Sequence, residues 1–205
     1  ARFMPKVRAG LWDGNICLYD GRIEAFPAGL TWRVASWLRQ VGYQVSVGGA
    51  QSSPPVAPYA DRLQGVLLTE HQRRAVEEAL RRRRLIIQSP TGSGKTEIGA
   101  ELVRRLGLPT LWLTHRQDLL TQTAERLAVR LGGLPIGLVG AGQQDVRRVT
   151  VGMVQSLSGE RSPRFWEQWK VLVLDETHHG SARTWYDLAL QCSQAGWRFG
   201  LSATP

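Results

Sequence analysis

Residues 89–96 run Ser89-Pro90-Thr91-Gly92-Ser93-Gly94-Lys95-Thr96, directly after the apolar run Leu85-Ile86-Ile87 and directly before a helical pattern. Glycines at such a junction let the backbone turn tightly, so that successive N–H groups point inward at phosphate oxygens. The helix beginning near Lys95 adds a partial positive charge at its N-terminus. In this setting Lys95 reaches β- and γ-phosphates and the Thr96 hydroxyl ligates Mg²⁺. Ser89 stands where the usual first glycine of such a loop would be, which leaves the GSGKT end intact. A second group of residues supplies acid. Val171 to Glu176 (VLVLDE) is an apolar strand that delivers Asp175 to the carboxyl edge of a sheet, where ligands bind in open α/β folds. Asp175 there holds Mg²⁺, directly or through water, and Glu176 orients and deprotonates an attacking water. His178 and His179 follow at once, but adjacent histidines with no cysteine nearby lack the i, i+4 spacing of a helical zinc pair.

The elements that must carry these groups are legible from Leu67 onward. Thr69 to Arg82 reads as a helix, with Thr69 and Gln72 spaced as a capping box. Strands are predicted at Leu85–Gln88, Thr110–Thr114, Val146–Val151, Val171–Asp175 and Arg198–Leu201. Helices are predicted at Lys95–Leu106, Arg116–Leu131 (closed by Gly132-Gly133) and Ala182–Gln194. Strands flanked by helices imply a parallel sheet covered on both faces. The run Arg81 to Arg84 reads as the basic C-terminus of a helix, with Glu77 and Glu78 placed four residues before Arg81 and Arg82.

Residues 1–47 read as a separate small α/β unit. Ile16–Tyr19 and Ile23–Phe26 form strand-like runs around the turn pair Asp20-Gly21, Pro27–Val41 has helical spacing, and Tyr43–Val47 reads as a strand. Trp12, Trp32 and Trp37 are expected to pack its core, since so small a unit needs large apolar side chains, with stacking on bases as the other reading. Residues 48–60 (GGAQSSPPVAPYA) are rich in Gly, Ser and Pro and read as a linker. That leaves residues 61–205 for the phosphate-binding domain.

Composition frames these readings. The chain has 205 residues, 42% apolar and 21% charged, enough to bury a core. No stretch approaches the about 20 apolar residues a membrane span needs, and no signal segment opens the chain. With two cysteines far apart, Cys17 and Cys192, an intracellular, cytoplasmic protein is expected and no disulfide framework. Twenty-six basic against 17 acidic residues give a net charge of +9, which suits a polyanionic partner such as a nucleic acid.

Several further motifs stand in a recognisable order, and on them the chain resembles the first RecA-like domain of superfamily 2 helicases and translocases, in the group of UvsW-like and XPB-like proteins. The resemblance covers roughly residues 60–205 and more weakly 1–47, around Trp12-Asp13-Gly14 and Leu18-Tyr19-Asp20. It implies a RecA-like P-loop domain preceded by a small α/β accessory domain that contributes to DNA binding. Gln72, in LTEHQRRAV, matches the glutamine that reads adenine. Thr114 to Gln122 and Thr150 to Leu157 match backbone-contact motifs, with Thr114, Arg116 and Gln155 as nucleic-acid residues. DETH at 175–178 matches the DEAH-like acidic box. His178, with Ser202 and Thr204 of the Ser202-Ala203-Thr204 motif, would couple hydrolysis to nucleic-acid engagement.

The implied function is the N-terminal half of an ATP-dependent DNA helicase or translocase, with ATP and Mg²⁺ as ligands and a repair role by family. DNA is the expected partner, duplex or branched and sequence-independent, with RNA left open. The family's second RecA-like domain, the source of its arginine fingers, is absent from these residues. It would act in cis or in trans, so that the chain alone binds ATP and hydrolyses it poorly. The Ala1 start likewise reads as a fragment or a processed chain. The alternative is a nucleotide-binding regulatory module without autonomous motor activity. A transporter-type ATPase is disfavoured: Leu157-Ser158-Gly159-Glu160 only loosely matches that signature, and THH rather than Pro-Thr follows the acidic pair.

Overall fold

The computed structural model describes residue 21 and residues 30–47, 54–158, 161–175 and 182–203. The chain forms two compact units, residues 1–49 and 50–205.

Within the first unit, α1 spans Thr31–Gln40. Its C-terminus closes in a Schellman motif, with Gly42 at φ +96°, Gly42 N–H bonded to Arg39 O (3.1 Å) and Tyr43 N–H to Leu38 O (3.0 Å). Ala35 is buried, whereas Trp32 and Trp37 are 70% and 60% exposed. The expectation that these two tryptophans fill the core is therefore corrected. They share the outer side of the helix with Arg33 and Arg39, which are also exposed. Residues 43–47 carry no strand among the described residues. The Val45 carbonyl instead accepts from the Arg39 guanidinium at 2.9 Å. Trp12 and the runs 16–19 and 23–26 lie outside the described residues.

The second unit contains α2 (Glu70–Arg82), β1 (Arg84–Gln88), α3 (Lys95–Leu106), β2 (Thr110–Thr114), α4 (Gln117–Arg130), β3 (Gly137–Gly140) and β4 (Gln143–Asp145). It continues with β5 (Val149–Met153), α5 (Val154–Leu157), α6 (Pro163–Glu167), β6 (Val171–Asp175), α7 (Ala182–Gln191) and β7 (Trp197–Ser202). The strands make one sheet in the order β1-β7-β6-β2-β5-β3-β4, parallel throughout except for the β3–β4 pair. Every residue of β2 is buried, as its unbroken Thr110-Leu-Trp-Leu-Thr114 run demands of a strand covered on both faces. Alternation then sorts the core. Trp112, Val151, Val173, Phe199 and Leu201 pack with Ile98, Leu102 and Leu127 from α3 and α4. Leu111, Leu113 and Leu172 pack on the other face with Trp166, Trp169, Trp185 and Leu188.

The capping box is formed, and the α4 end is closed by Gly132 (φ +72°) and Gly133 (φ +84°) as the glycine pair predicts. Two expectations shift. The strand predicted at 146–151 lies instead at 149–153, because the Thr150 hydroxyl binds both the N–H and the carbonyl of Arg147 (2.9 and 2.8 Å) and ends the preceding turn there. The hairpin β3–β4 was not foreseen. Its turn, Gly140-Ala141-Gly142, takes positive φ at all three residues and reads in sequence as a glycine-rich loop.

The stretch read as a linker is docked onto the lobe over residues 56–60. Val56 N–H bonds Leu106 O, Tyr59 N–H bonds Arg104 O, and Tyr59 Oη donates to Leu108 O at 2.7 Å. Arg104 donates to the carbonyls of Ala60 and Asp61, and Arg130 to that of Gln64. Gly107, at φ +60°, admits this approach, since a Cβ there would lie 2.2 Å from Ala57 O.

Candidate nucleotide site

Parallel register brings the carboxyl ends of four neighbouring strands into one row: Gln88 faces Ser202, Asp175 faces Leu201, and Thr114 ends β2 beside them. The β1–β7 ladder runs one bond further, into the loop, where Ser89 N–H donates to Ser202 O at 2.9 Å. The loop then turns through Gly92 (φ +79°) and Gly94 (φ +80°), and Gly94 is the N-cap of α3. It is internally bonded. Ser89 Oγ donates to Ser93 Oγ and Ser93 Oγ to Pro90 O, both at 2.6 Å. Lys95, buried against the loop, donates to Ser89 O and Pro90 O at 3.1 and 3.3 Å. The first turn of α3 offers N–H groups without helical acceptors, and Thr96 lies half-buried there.

Gln72 joins two structures. Its Oε1 accepts from Thr69 N–H at 2.9 Å, closing the capping box, and its Nε2 donates to Ser93 O at 2.8 Å. The side chain that the resemblance assigns to adenine thus also holds the phosphate loop to α2. A Cβ on Gly94 would stand 2.4 Å from this amide nitrogen.

Asp175 is 7% exposed and accepts from the Trp112 indole Nε1–H at 3.3 Å. The site thus contains a hydroxyl and a carboxylate, hard oxygen donors of the kind Mg²⁺ takes together with phosphate oxygens and water. Among the described residues no group of three or more His, Cys, Asp and Glu side chains converges as a metal cage. Glu176, His178 and Thr204 lie outside the described residues.

The nucleic-acid candidates sit at the same sheet edge. Gln155 is exposed and donates to His115 O at 3.1 Å, tying the end of β2 to α5. Arg116, the exposed N-cap of α4, grips Asp118 at 3.0 and 2.9 Å and holds that carboxyl below its ordinary value. Thr114 differs from both. Its side chain is buried, and its hydroxyl has no hydrogen-bond partner among the described residues. Two participants escaped sequence reasoning. Trp112 carries no motif signal and looks like ordinary core. Glu97 follows the lysine–threonine pair, is buried and pairs with the half-buried Arg130 at 2.7 Å, and only the three-dimensional contact distinguishes it from a helical surface acid.

Residues 66–205 match the family model described as "Type III restriction enzyme, res subunit". The chain belongs to this helicase family of superfamily 2. It is 33% identical over 138 residues to the DNA 3'-5' translocase XPB2 of Sulfurisphaera tokodaii, a match covering 67% of this chain and 31% of that protein. It is 26% identical to the ATP-dependent DNA helicase uvsW of Enterobacteria phage T4, over 99% of this chain and 45% of that one. The matches therefore span 31% and 45% of these two relatives' lengths. The crystal structure of the UvsW helicase superposes with a TM-score of 0.77 at 24% identity, covering 99% of this chain and 80% of that one. The restriction-subunit family's RecA-like helicase fold is thus the fold described above. Among the described residues no helix is long and apolar enough to cross a membrane.

Proposed function

We propose that this chain is the ATP-binding lobe, with its accessory unit, of a DNA helicase or translocase. The observation that carries the reading is the convergence of the Ser89–Thr96 loop and Asp175 on one sheet edge, cross-tied through Ser89 N–H and Ser202 O. Lys95 exchanges its two loop carbonyls for phosphate oxygens, a trade of neutral acceptors for charged ones that favours the bound state. Thr96 and Asp175 hold Mg²⁺, and Glu176 takes the proton of the attacking water. When bound there, Mg²⁺ would supply positive charge against the phosphate oxygens. The exposed Arg116 and Gln155 contact a nucleic-acid backbone, whereas the buried Thr114 hydroxyl is out of reach of one in this structure. An arginine finger contributes about 10³–10⁵ in rate in related phosphate-loop enzymes, so turnover is measured separately from ATP binding.

Calorimetric titration with ATP and Mg²⁺ tests the site. Lys95→Ala should lose ATP binding, and unchanged affinity would refute the phosphate-loop assignment. Steady-state ATPase with and without DNA separates the half-motor from a stand-alone enzyme. Vigorous DNA-stimulated turnover by this chain alone would count against the former. Absence of any DNA binding at low salt would favour a pure nucleotide-binding module.

A further inference from the structure

We infer that Trp112 is a positioning residue for the magnesium–nucleotide site, acting on Asp175 through its indole N–H and on the phosphate-loop helix through its ring. The inference rests on the nucleotide reading above and adds to it a residue outside every motif.

The geometry follows from the sheet. Trp112 of β2 lies opposite Val173 of β6. Asp175, two residues further along β6, is therefore the diagonal neighbour on the same face, a separation that a side chain as long as tryptophan can span. It does so, placing Nε1 3.3 Å from Asp175 Oδ2 within the buried interior. The far edge of the same ring is pressed against α3 at Gly99, one turn beyond Lys95 and Thr96. A Cβ at Gly99 would stand 2.4 Å from Trp112 Cη2 and 2.7 Å from Cζ3. The ring itself is fully buried, locked by the packing of both sheet and helix. One rigid indole thus sets the position of both elements that supply cation-holding oxygen: Asp175 by a hydrogen bond and the Thr96 turn by contact at Gly99. A donor on one carboxylate oxygen fixes the rotation of the whole group and settles how it meets a cation. A phenyl ring at this position removes the donor together with the far ring edge that meets Gly99.

The test compares the 205-residue chain with its Trp112→Phe variant by calorimetric titration with a non-hydrolysable ATP analogue, once in Mg²⁺ and once in EDTA. A second arm replaces Trp112 by benzothienylalanine, which keeps the bicyclic shape and puts sulfur in place of N–H. The benzothienylalanine chain should bind the analogue as wild type does in EDTA and lose about tenfold of the affinity that Mg²⁺ adds, and Trp112→Phe should lose at least as much of that gain. An undiminished Mg²⁺ gain in the benzothienylalanine chain would overturn the inference. So would an equal loss in both buffers, which marks a purely structural role. A wild-type chain that binds the analogue in neither buffer would overturn the nucleotide reading itself, and this inference with it.

Discussion

Ser89 and Gly94 show how differently two positions of one short loop tolerate change. Ser89 replaces a glycine usual in such loops, and its hydroxyl serves as an internal tie to Ser93. Ser93 retains its own bond to Pro90 O, so Ser89→Ala should cost at most about 1 kcal/mol in stability and leave ATP affinity nearly unchanged. Gly94 has no such latitude. It sits at φ +80°, and any Cβ collides with Gln72 Nε2 at 2.4 Å. Gly94→Ala should therefore break the Gln72–Ser93 bond and lower the melting temperature. Combined strain and lost hydrogen bonding amount to about 2–3 kcal/mol, with ATP binding lost alongside. Thermal unfolding and calorimetry of the two variants give the comparison. Similar behaviour of both would show that the loop's shape is not set by Gly94.

At the scale of elements, α3 is more than the carrier of the phosphate loop. Glu101, 6% exposed, bonds Arg104 at 2.8 Å and Arg105 at 2.6 Å, and Arg104 in turn holds Ala60 and Asp61. Burial pushes the Glu101 carboxyl up, but the two arginine hydrogen bonds outweigh it and leave it below its ordinary 4.5. A lowered carboxylate stabilises the fold above its unfolded value, and the contribution vanishes as pH falls through the folded one. Glu101→Gln should therefore destabilise the lobe by about 2–3 kcal/mol at neutral pH, with the gap from wild type closing below about pH 4.5. A pH-independent gap in chemical denaturation would mean that the charge is not what matters. Periodicity revealed α3, β2 and β6 to the residue, because strong apolar patterns there coincide with clear caps. Side-chain interventions hid the rest: the Thr150 hydroxyl moved the start of β5, and glycines of positive φ disguised the β3–β4 turn. The Ser89–Thr96 loop and Asp175 stand out in the sequence by spacing and strand context, and the fold brings them to one sheet edge. Trp112, Glu97 and the second role of Gln72 do not stand out, since each depends on a contact between elements distant in sequence.

For the molecule as a whole, the charge of +9 gives DNA binding a measurable form. Affinity for duplex DNA of arbitrary sequence should fall about tenfold or more on a fourfold rise in salt, the response of two or more phosphate contacts. Fluorescence anisotropy across a salt series reads the slope, and a salt-insensitive affinity would contradict backbone recognition. The exposed Trp32 and Trp37 of α1 are placed where bases could stack, which the same titration with single-stranded DNA examines. The sheet order has a mechanical consequence. Strand β7 lies between β1, which leads into the phosphate loop, and β6, which ends in Asp175. A tug along β7 loads both flanking ladders in shear, with all their bonds sharing the force at once, and Ser202 O hands part of it directly to Ser89. The two halves of the nucleotide site are thus strapped to one stiff rod. A displacement of that rod reaches both together, as a lever reaches a lock with two bolts.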